Sequence, residues 1–221
     1  MPQQPQDSIF LGERWSQLVG FLEQLPRPVK LVVWAGEDGG RFEKEALHLG
    51  RSLAERFPIL HFQRRDRVPQ HYHYPVLGFM GLDEQEDELD FGLRMIGLPA
   101  GFQINSLVGA IQAVSFRASN LEGLTRIKLG KLPPAAQVDL ELFTSAENEA
   151  GALVATLAAG FAVASPRVRA FIVMADLYPD IASRYSVRNL PHTVINSRAH
   201  VEGLLDEESL LRHIALAIKK P

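Results

Sequence analysis

The chain has 221 residues, of which 46% are hydrophobic and 22% are charged. This is the balance of an ordinary soluble globular protein with one large domain or two small ones. The formal net charge is −3, which excludes the broad positive field that attracts nucleic acid or an anionic membrane. Cysteine is absent, which excludes disulfides, thiolate metal sites and a cysteine nucleophile within this chain.

Neither the start of the chain nor its longest apolar run predicts a targeting or membrane-spanning segment. Residues 1–15 contain no cationic stretch followed by an apolar run, so we expect no signal peptide. The run AGALVATLAAGFAVA at 150–164 is shorter than the roughly 18–20 residues that cross a bilayer. Its alanines and glycines suit a helix packed closely on both sides. We therefore expect a cytoplasmic protein.

The first half of the chain predicts the order β-α-β, a loop, then β-β-α. The apolar run VKLVVWAG is typical of a buried strand. The helix that follows places Phe42, Ala46, Leu49 and Leu53 on one face, and Pro58 ends it. The predicted elements are strands at 29–36, 59–63, 74–81 and 89–97, and helices at 41–57 and 99–116.

The second half repeats this order with one additional helix, as β-α-β-α-β-β-α. A hairpin is predicted around Asn196–Ser197, and Asp206 is a good N-cap for the last helix. The predicted elements are strands at 138–145 and 166–175, the hairpin at 191–203, and helices at 147–164, 178–186 and 206–220. The proline-containing spacer LGKLPPAAQ at 129–137 separates the halves. We predict an N-terminal extension or helix at 1–28, a first unit at 29–128 and a second at 138–221.

Two stretches carry a resemblance to known proteins. DLYPDIASRYSVRNLPHTVIN, 176–196, resembles the thioredoxin and glutaredoxin segment that leads to the cis-proline loop, with Pro191 at the cis-proline. MIGLPAGFQINSLVGAIQAVS, 95–115, resembles the join of tandem thioredoxin-fold proteins. These are the glutaredoxin-like protein disulfide oxidoreductases and the N-terminal domain of the alkyl hydroperoxide reductase flavoprotein subunit. The resemblance implies an α/β protein of two tandem thioredoxin-like folds, each a mixed sheet flanked by helices. It also implies cis peptide bonds at Leu190–Pro191 and Tyr74–Pro75.

The chain departs from these families at their redox motifs. LFTS followed by a helix resembles the lead-in to a Cys-x-x-Cys motif, and by that alignment residues 148–151, NEAG, stand in its place. The first half has AGEDGG, 35–40, at the equivalent turn. Thiol–disulfide exchange requires a thiolate, so this chain cannot perform it alone. The first half is also short before Pro75, which we expect to cost it a helix, and no G-x-G-x-x-G dinucleotide motif occurs.

The degenerate turn and the cis-proline loop are the candidate binding site. In the family, the main chain before the cis-proline pairs with an extended substrate peptide, a contact that needs no cysteine. The alternative is structural: Thr144 to Glu147 has the spacing of a capping box. Positions 148 and 151, if both were cysteine, should come near disulfide distance. The candidate residues are Ser145, Asn148, Glu149, Gly151, Leu190 and Pro191, with Tyr74 and Pro75 as first-unit equivalents.

The histidines offer two weaker alternatives. His71 and His73 in HYHYP would share a face on a strand and, with His61, could bind Zn²⁺ or Cu²⁺. No third ligand is fixed by spacing, so we expect no metal site. His192 follows Pro191 and could act as an acid or base, but no nucleophile is visible near it, and a structural role is favoured.

These features predict a non-catalytic binding or scaffold protein that has no cofactor and binds a protein or peptide partner. One alternative is an accessory of a thiol-redox or peroxide-detoxification system that acts through the cysteines of a peroxiredoxin or reductase. Another is a glutathione-dependent or other non-thiol enzyme, for which Thr144 or Ser145 would supply the hydroxyl. No nucleic-acid or membrane partner is expected, and a homo-oligomer stays open. Fold alone does not separate these classes.

Overall fold

The computed structural model describes residues 13–117 and 121–219. Residues 1–12 of the predicted N-terminal segment therefore lie outside the described residues, as does the end of the last predicted helix. The first half contains α1 (Glu13–Leu22), β1 (Val29–Trp34), α2 (Arg41–Arg56), β2 (Leu60–Arg65), β3 (Val76–Leu82), β4 (Glu88–Ile96), α3 (Gln103–Phe116) and α4 (Gly123–Gly130). The second half contains β5 (Val138–Thr144), α5 (Glu149–Ala164), β6 (Val168–Met174), α6 (Pro179–Arg184), β7 (His192–Ile195), β8 (Ala199–Glu202) and α7 (Glu207–Lys219).

The strands form one eight-stranded mixed sheet in the order β2-β1-β3-β4-β6-β5-β7-β8. Each half contributes its strands in the same order: second, first, third, fourth. The first strand of each half pairs in parallel with the second and antiparallel with the third. The duplicated α/β architecture is thus confirmed. The prediction treated the two sheets as separate, but β4 pairs in parallel with β6 and joins them into one.

The larger part of the core lies on one face of this sheet. There α2, α3, α5 and α7 pack on strand residues such as Leu31, Phe79, Met95 and Leu142. Alternate residues of the same strands point to the opposite face, because side chains alternate along a strand. On that second face two small clusters form, one under α6 around Phe143 and one around Trp34.

The second face is only partly covered, because the first half lacks the counterpart of α6. Residues 66–75, all of which the structure describes, connect β2 to β3 without a helix. This agrees with the shortened segment before Pro75. We call this side the open face. Much of it carries paired charges, including Lys30 with Glu88 and Arg94 with Asp90.

No helix among residues 13–117 and 121–219 is both long enough and apolar enough to cross a membrane. The longest apolar run of the sequence falls within α5. Its alanines and glycines pack against β5, β6 and α3, as expected for a helix with close neighbours.

Candidate functional site

The turn between β5 and α5 is capped differently from the prediction. Helix α5 begins at Glu149, two residues later than predicted, and Asn148 is the N-cap, with its side-chain oxygen accepting a hydrogen bond from the Gly151 N–H. Thr144 cannot act as the cap, because it is the last residue of β5, paired with Met174. The predicted capping box at Thr144 to Glu147 is therefore wrong. Asn is as effective an N-cap as Ser or Thr. The turn therefore still caps the helix, as the structural alternative proposed, but through Asn148.

A glutamine from the first half ties this turn down. Gln103, at the start of α3, is fully buried. Its Nε2 donates to the Thr144 Oγ1 at 2.9 Å and to the carbonyls of Ser145 and Asn148, both at 3.0 Å. Its Oε1 accepts from the Ser106 hydroxyl at 2.8 Å. The network satisfies the turn's buried acceptors from within the protein, so the turn is held by contacts between the halves.

Two glycines make this close approach possible. Gly101 has φ +54°, and a Cβ there would lie 2.3 Å from the Ala146 carbonyl oxygen. That carbonyl instead accepts from the Phe102 N–H at 2.8 Å. At Gly151 a Cβ would lie 2.0 Å from the Thr144 Oγ1. A Cβ at position 151 would therefore require the Thr144 side chain to move. The cysteine pair at positions 148 and 151 stays a prediction for a count of free thiols after mild oxidation.

The cis-proline loop of the second half lies beside the end of β5. Phe143 pairs with His192 across β5 and β7, so Pro191 lies next to Thr144 in the sheet. The Leu190–Pro191 bond is cis, the geometry predicted for it. The structure therefore brings Leu190 and Pro191 to the same edge as the turn that holds Ser145, Asn148, Glu149 and Gly151. Among the described residues the main-chain N–H and C=O of Leu190 have no hydrogen-bond partner.

The equivalent turn of the first half is filled by a carboxylate that the sequence analysis missed. Glu43 occupies the third position of α2, which in α5 is Gly151. The buried carboxylate accepts from the Gly36 N–H at 2.7 Å and the Gly40 N–H at 3.2 Å, and is paired with Arg67. Burial alone would raise the pKa of Glu43, but the hydrogen bonds from Arg67 and Gly36 outweigh it and lower the pKa. An internal anion thus occupies this turn, where it accepts from the N–H of the N-cap residue Gly40 and from the N–H of Gly36.

The cis-proline loop of the first half is also engaged internally. Tyr74–Pro75 is cis, as predicted, but the Tyr74 carbonyl accepts a hydrogen bond from the Tyr178 hydroxyl at 2.7 Å. Burial raises the pKa of Tyr178, so this hydroxyl stays protonated and donates. The two cis-prolines do not meet. Four strand intervals separate β3 from β7 in the sheet, about 19 Å at the usual strand spacing.

The HYHYP histidines have separate partners. Residues 71–73 are not in a strand, so His71 and His73 do not share a strand face. His71 packs edge-on against Trp34, and the His73 Nε2 lies 2.8 Å from the Asp180 Oδ2. In the described part of the chain, no three His, Cys, Asp or Glu side chains are placed to hold a metal ion.

His192 is a buried residue of the sheet. Its Nε2 lies 2.9 Å from the His200 Nδ1 on the neighbouring strand. Burial lowers the pKa of His192, and His200 lowers it further, while Glu202 opposes both. The imidazole is therefore neutral at pH 7, and its contacts support the structural role favoured from the sequence.

The duplicated architecture, with one cis-proline turn in each half, defines a tandem thioredoxin fold. No protein-family model and no curated protein sequence matches the chain. Among solved structures, it resembles a protein disulfide oxidoreductase from Aeropyrum pernix K1, with 24% identity, a TM-score of 0.81 and coverage of 95% of this chain and 94% of that one.

The NTD_N/C domain of the alkylhydroperoxide reductase AhpF from Enterococcus faecalis is also similar. It shares 19% identity with a TM-score of 0.80, over 90% of this chain and 96% of that one. A second structure of the same subunit, a C503A mutant, matches with a TM-score of 0.79 at 19% identity and with the same coverage. The comparisons confirm the predicted fold, and the sequence contains no cysteine at any position.

Proposed function

We propose that the chain is a cytoplasmic binding protein of the tandem thioredoxin fold, which holds an extended peptide segment of a protein partner at the cis-proline edge of its second unit. The observation that carries the proposal is the unpartnered main chain of Leu190. Leu190 lies just before the start of β7, and unpaired main-chain N–H and C=O groups at such a position can pair with an extended peptide through backbone hydrogen bonds. Such pairing requires no cysteine.

The contrast between the two units supports this choice of site. In the first unit the Tyr74 carbonyl is bonded to Tyr178, and Glu43 occupies the turn. In the second unit Gln103 holds the turn from within the protein. The half-buried Leu190 packs its side chain on the cluster around Phe143, and its main-chain groups have no partner among the described residues. The network therefore preorganises the second site, and a rigid site costs less entropy on binding.

The charges beside the second site favour a basic partner segment. Glu147 and Glu149 are exposed at the start of α5, and neither forms a salt bridge with a described residue. Complementary charge contributes mainly to association rate and selectivity. We therefore expect lysine or arginine near the peptide residue that pairs with Leu190.

Selection of random peptides displayed on phage against the full chain tests the proposal. The expected binders are extended peptides with basic residues, and N-methylation of alternate peptide bonds should abolish their affinity. A Leu190→Ala variant, which keeps the main chain, should retain most of it. Binders that tolerate N-methylation at every position would contradict the main-chain pairing.

A redox accessory is the second candidate, favoured by the fold shared with a disulfide oxidoreductase and a peroxide reductase subunit. In this role the chain would dock a peroxiredoxin or reductase whose cysteines perform the chemistry. Turnover of peroxide by the captured partner, with and without the chain, tests it. For the third alternative, a glutathione-dependent or other non-thiol enzyme, Thr144 is unsuited because its hydroxyl is fully buried and accepts from Gln103. Ser145, which is partly exposed, is then the hydroxyl that such an enzyme would use.

A further inference from the structure

A groove of about 280 Å³ lies on the open face, between the two halves of the molecule. Its floor is formed by apolar side chains of three central strands, including Phe143, Phe171 and Val173. One wall is α6, and the other is the segment 70–73. The groove exists because the first half has no helix between β2 and β3. Of the apolar strand residues that line it, Ile96 and Phe171 therefore stay partly exposed, whereas Phe143 and Val173 are buried.

One carboxyl group stands on this floor without a cationic partner. Glu141 accepts hydrogen bonds from the Tyr185 hydroxyl and, at 3.4 Å, from the Ser197 hydroxyl. It forms no salt bridge with any described residue. The nearby Asp139 accepts two hydrogen bonds from Arg169, from its Nε and its Nη2, each at 2.7 Å. Burial raises the pKa of Glu141, and the two hydroxyls only partly offset it.

The other titratable groups around the groove leave Glu141 uncompensated. The pKa of His71 is lowered by burial and by Arg94, so this imidazole is neutral at pH 7, and His73 is held by Asp180. The remaining titratable groups near Glu141 are Asp139 on the same strand, Arg184 at the end of α6, Tyr185 just after it, and His200 on β8. Arg169 on β6 is bonded to Asp139. Arg184 is exposed at the mouth, where solvent screens its charge.

We propose that this groove binds a small planar organic cation, an amidinium or guanidinium group on an aromatic or short apolar body. The cation would meet the Glu141 carboxylate, whose remaining lone pairs match paired N–H donors. The apolar body would lie against the partly exposed side chains of Phe171 and Ile96, and an aromatic ring near a cation adds attraction. The volume falls at the lower end of ligand cavities, so the ligand is small. No residue that lines the groove belongs to the peptide site proposed above, although Leu190 packs on the same apolar cluster.

Binding of benzamidine to the full chain, followed by nuclear magnetic resonance titration, tests the proposal. Benzyl alcohol is the matched probe without a charge, and benzoate is the matched probe with a negative charge. We expect saturable binding of benzamidine that is at least tenfold tighter than that of benzyl alcohol, with no binding of benzoate. Shifts should centre on Glu141, Phe171 and Tyr185. The Glu141→Gln variant should lose at least tenfold in affinity, while Glu208→Gln on α7 should lose none.

A pH series on the wild-type chain keeps the test decisive if Glu141→Gln does not fold. Benzamidine stays cationic as the pH is lowered from about 7.5, whereas Glu141, with its raised pKa, protonates at a higher pH than an ordinary glutamate. Affinity should therefore fall as the pH falls. Equal affinity for the three probes, a pH-independent affinity, or shifts that map outside the groove would each overturn the proposal.

Discussion

Replacing Gln103 by methionine should lower the free energy of unfolding strongly, because the one side chain bonds to several groups of the turn at once. Methionine keeps the length of the side chain and the helix propensity but removes the amide. The two N–H groups of the amide are shared among acceptors on Thr144, Ser145 and Asn148. Its oxygen accepts from Ser106. At about 1 kcal/mol for each of three net hydrogen bonds, the expected loss is about 3 kcal/mol of unfolding free energy.

Urea denaturation of the wild type and variant measures this loss, and Gln112→Met is the matched control. Gln112 lies on the same helix and is half-buried, and its side chain has no hydrogen-bond partner among the described residues. Its replacement should therefore change stability by less than about 0.5 kcal/mol. Hydrogen exchange at the first turn of α5 should accelerate only in the Gln103 variant. A loss below about 1 kcal/mol, or an equal loss in the control, would refute the role of the amide.

Four further predictions concern the two turns and the missing thiol. Gly151→Ala should lower the free energy of unfolding by about 2 kcal/mol or more, because the new Cβ would overlap Thr144. Gly20→Ala is the control, since open space surrounds Gly20, and it should stabilise α1 by about 0.5–1 kcal/mol. Equal urea midpoints for the two variants would contradict this expectation. The lowered pKa of Glu43 stabilises the fold fully above about pH 4.3 and progressively less as the pH falls through the folded-state value. Glu43→Gln should therefore lower stability at pH 7 and flatten its acid dependence, and an unchanged acid limb would count against it. Tyr178→Phe removes the hydrogen bond to the Tyr74 carbonyl and should lower the free energy of unfolding by about 1 kcal/mol. An unchanged urea midpoint would show that this bond contributes nothing to stability. In an insulin turbidity assay with dithiothreitol the chain should give no acceleration over dithiothreitol alone, since it has no cysteine.

Element order was predictable because it depends on local periodicity and turn residues. The buried strands, the amphipathic α2 and the hairpin at Asn196–Ser197 all carry such signals, and both hairpin residues adopt the positive φ that a tight turn requires. The Asp206 cap was also correct, since its side chain accepts from the Ser209 N–H. The short helix α4 was missed, because it lies beside a proline-containing spacer that predicted only a boundary.

The contacts between the halves could not be derived from local pattern. A capping-box spacing begins at Thr144, and only the pairing of Thr144 with Met174 in the sheet shows that the strand continues through it. Gln103 meets its acceptors across more than forty residues of chain. One signal was present: Gln103 and Ser106 are polar residues on the buried side of an otherwise apolar helix. Polar groups in that position require partners, although the sequence does not say which.

Hydrogen exchange of the Leu190 amide, followed by nuclear magnetic resonance with and without a selected peptide, tests the proposed function most directly. The free amide has no partner among the described residues, so it should exchange rapidly. A bound extended peptide should protect it and shift its resonance, with no comparable change at Tyr74, whose carbonyl Tyr178 already occupies. A peptide that binds tightly while the Leu190 amide stays unshifted and unprotected would contradict the proposal.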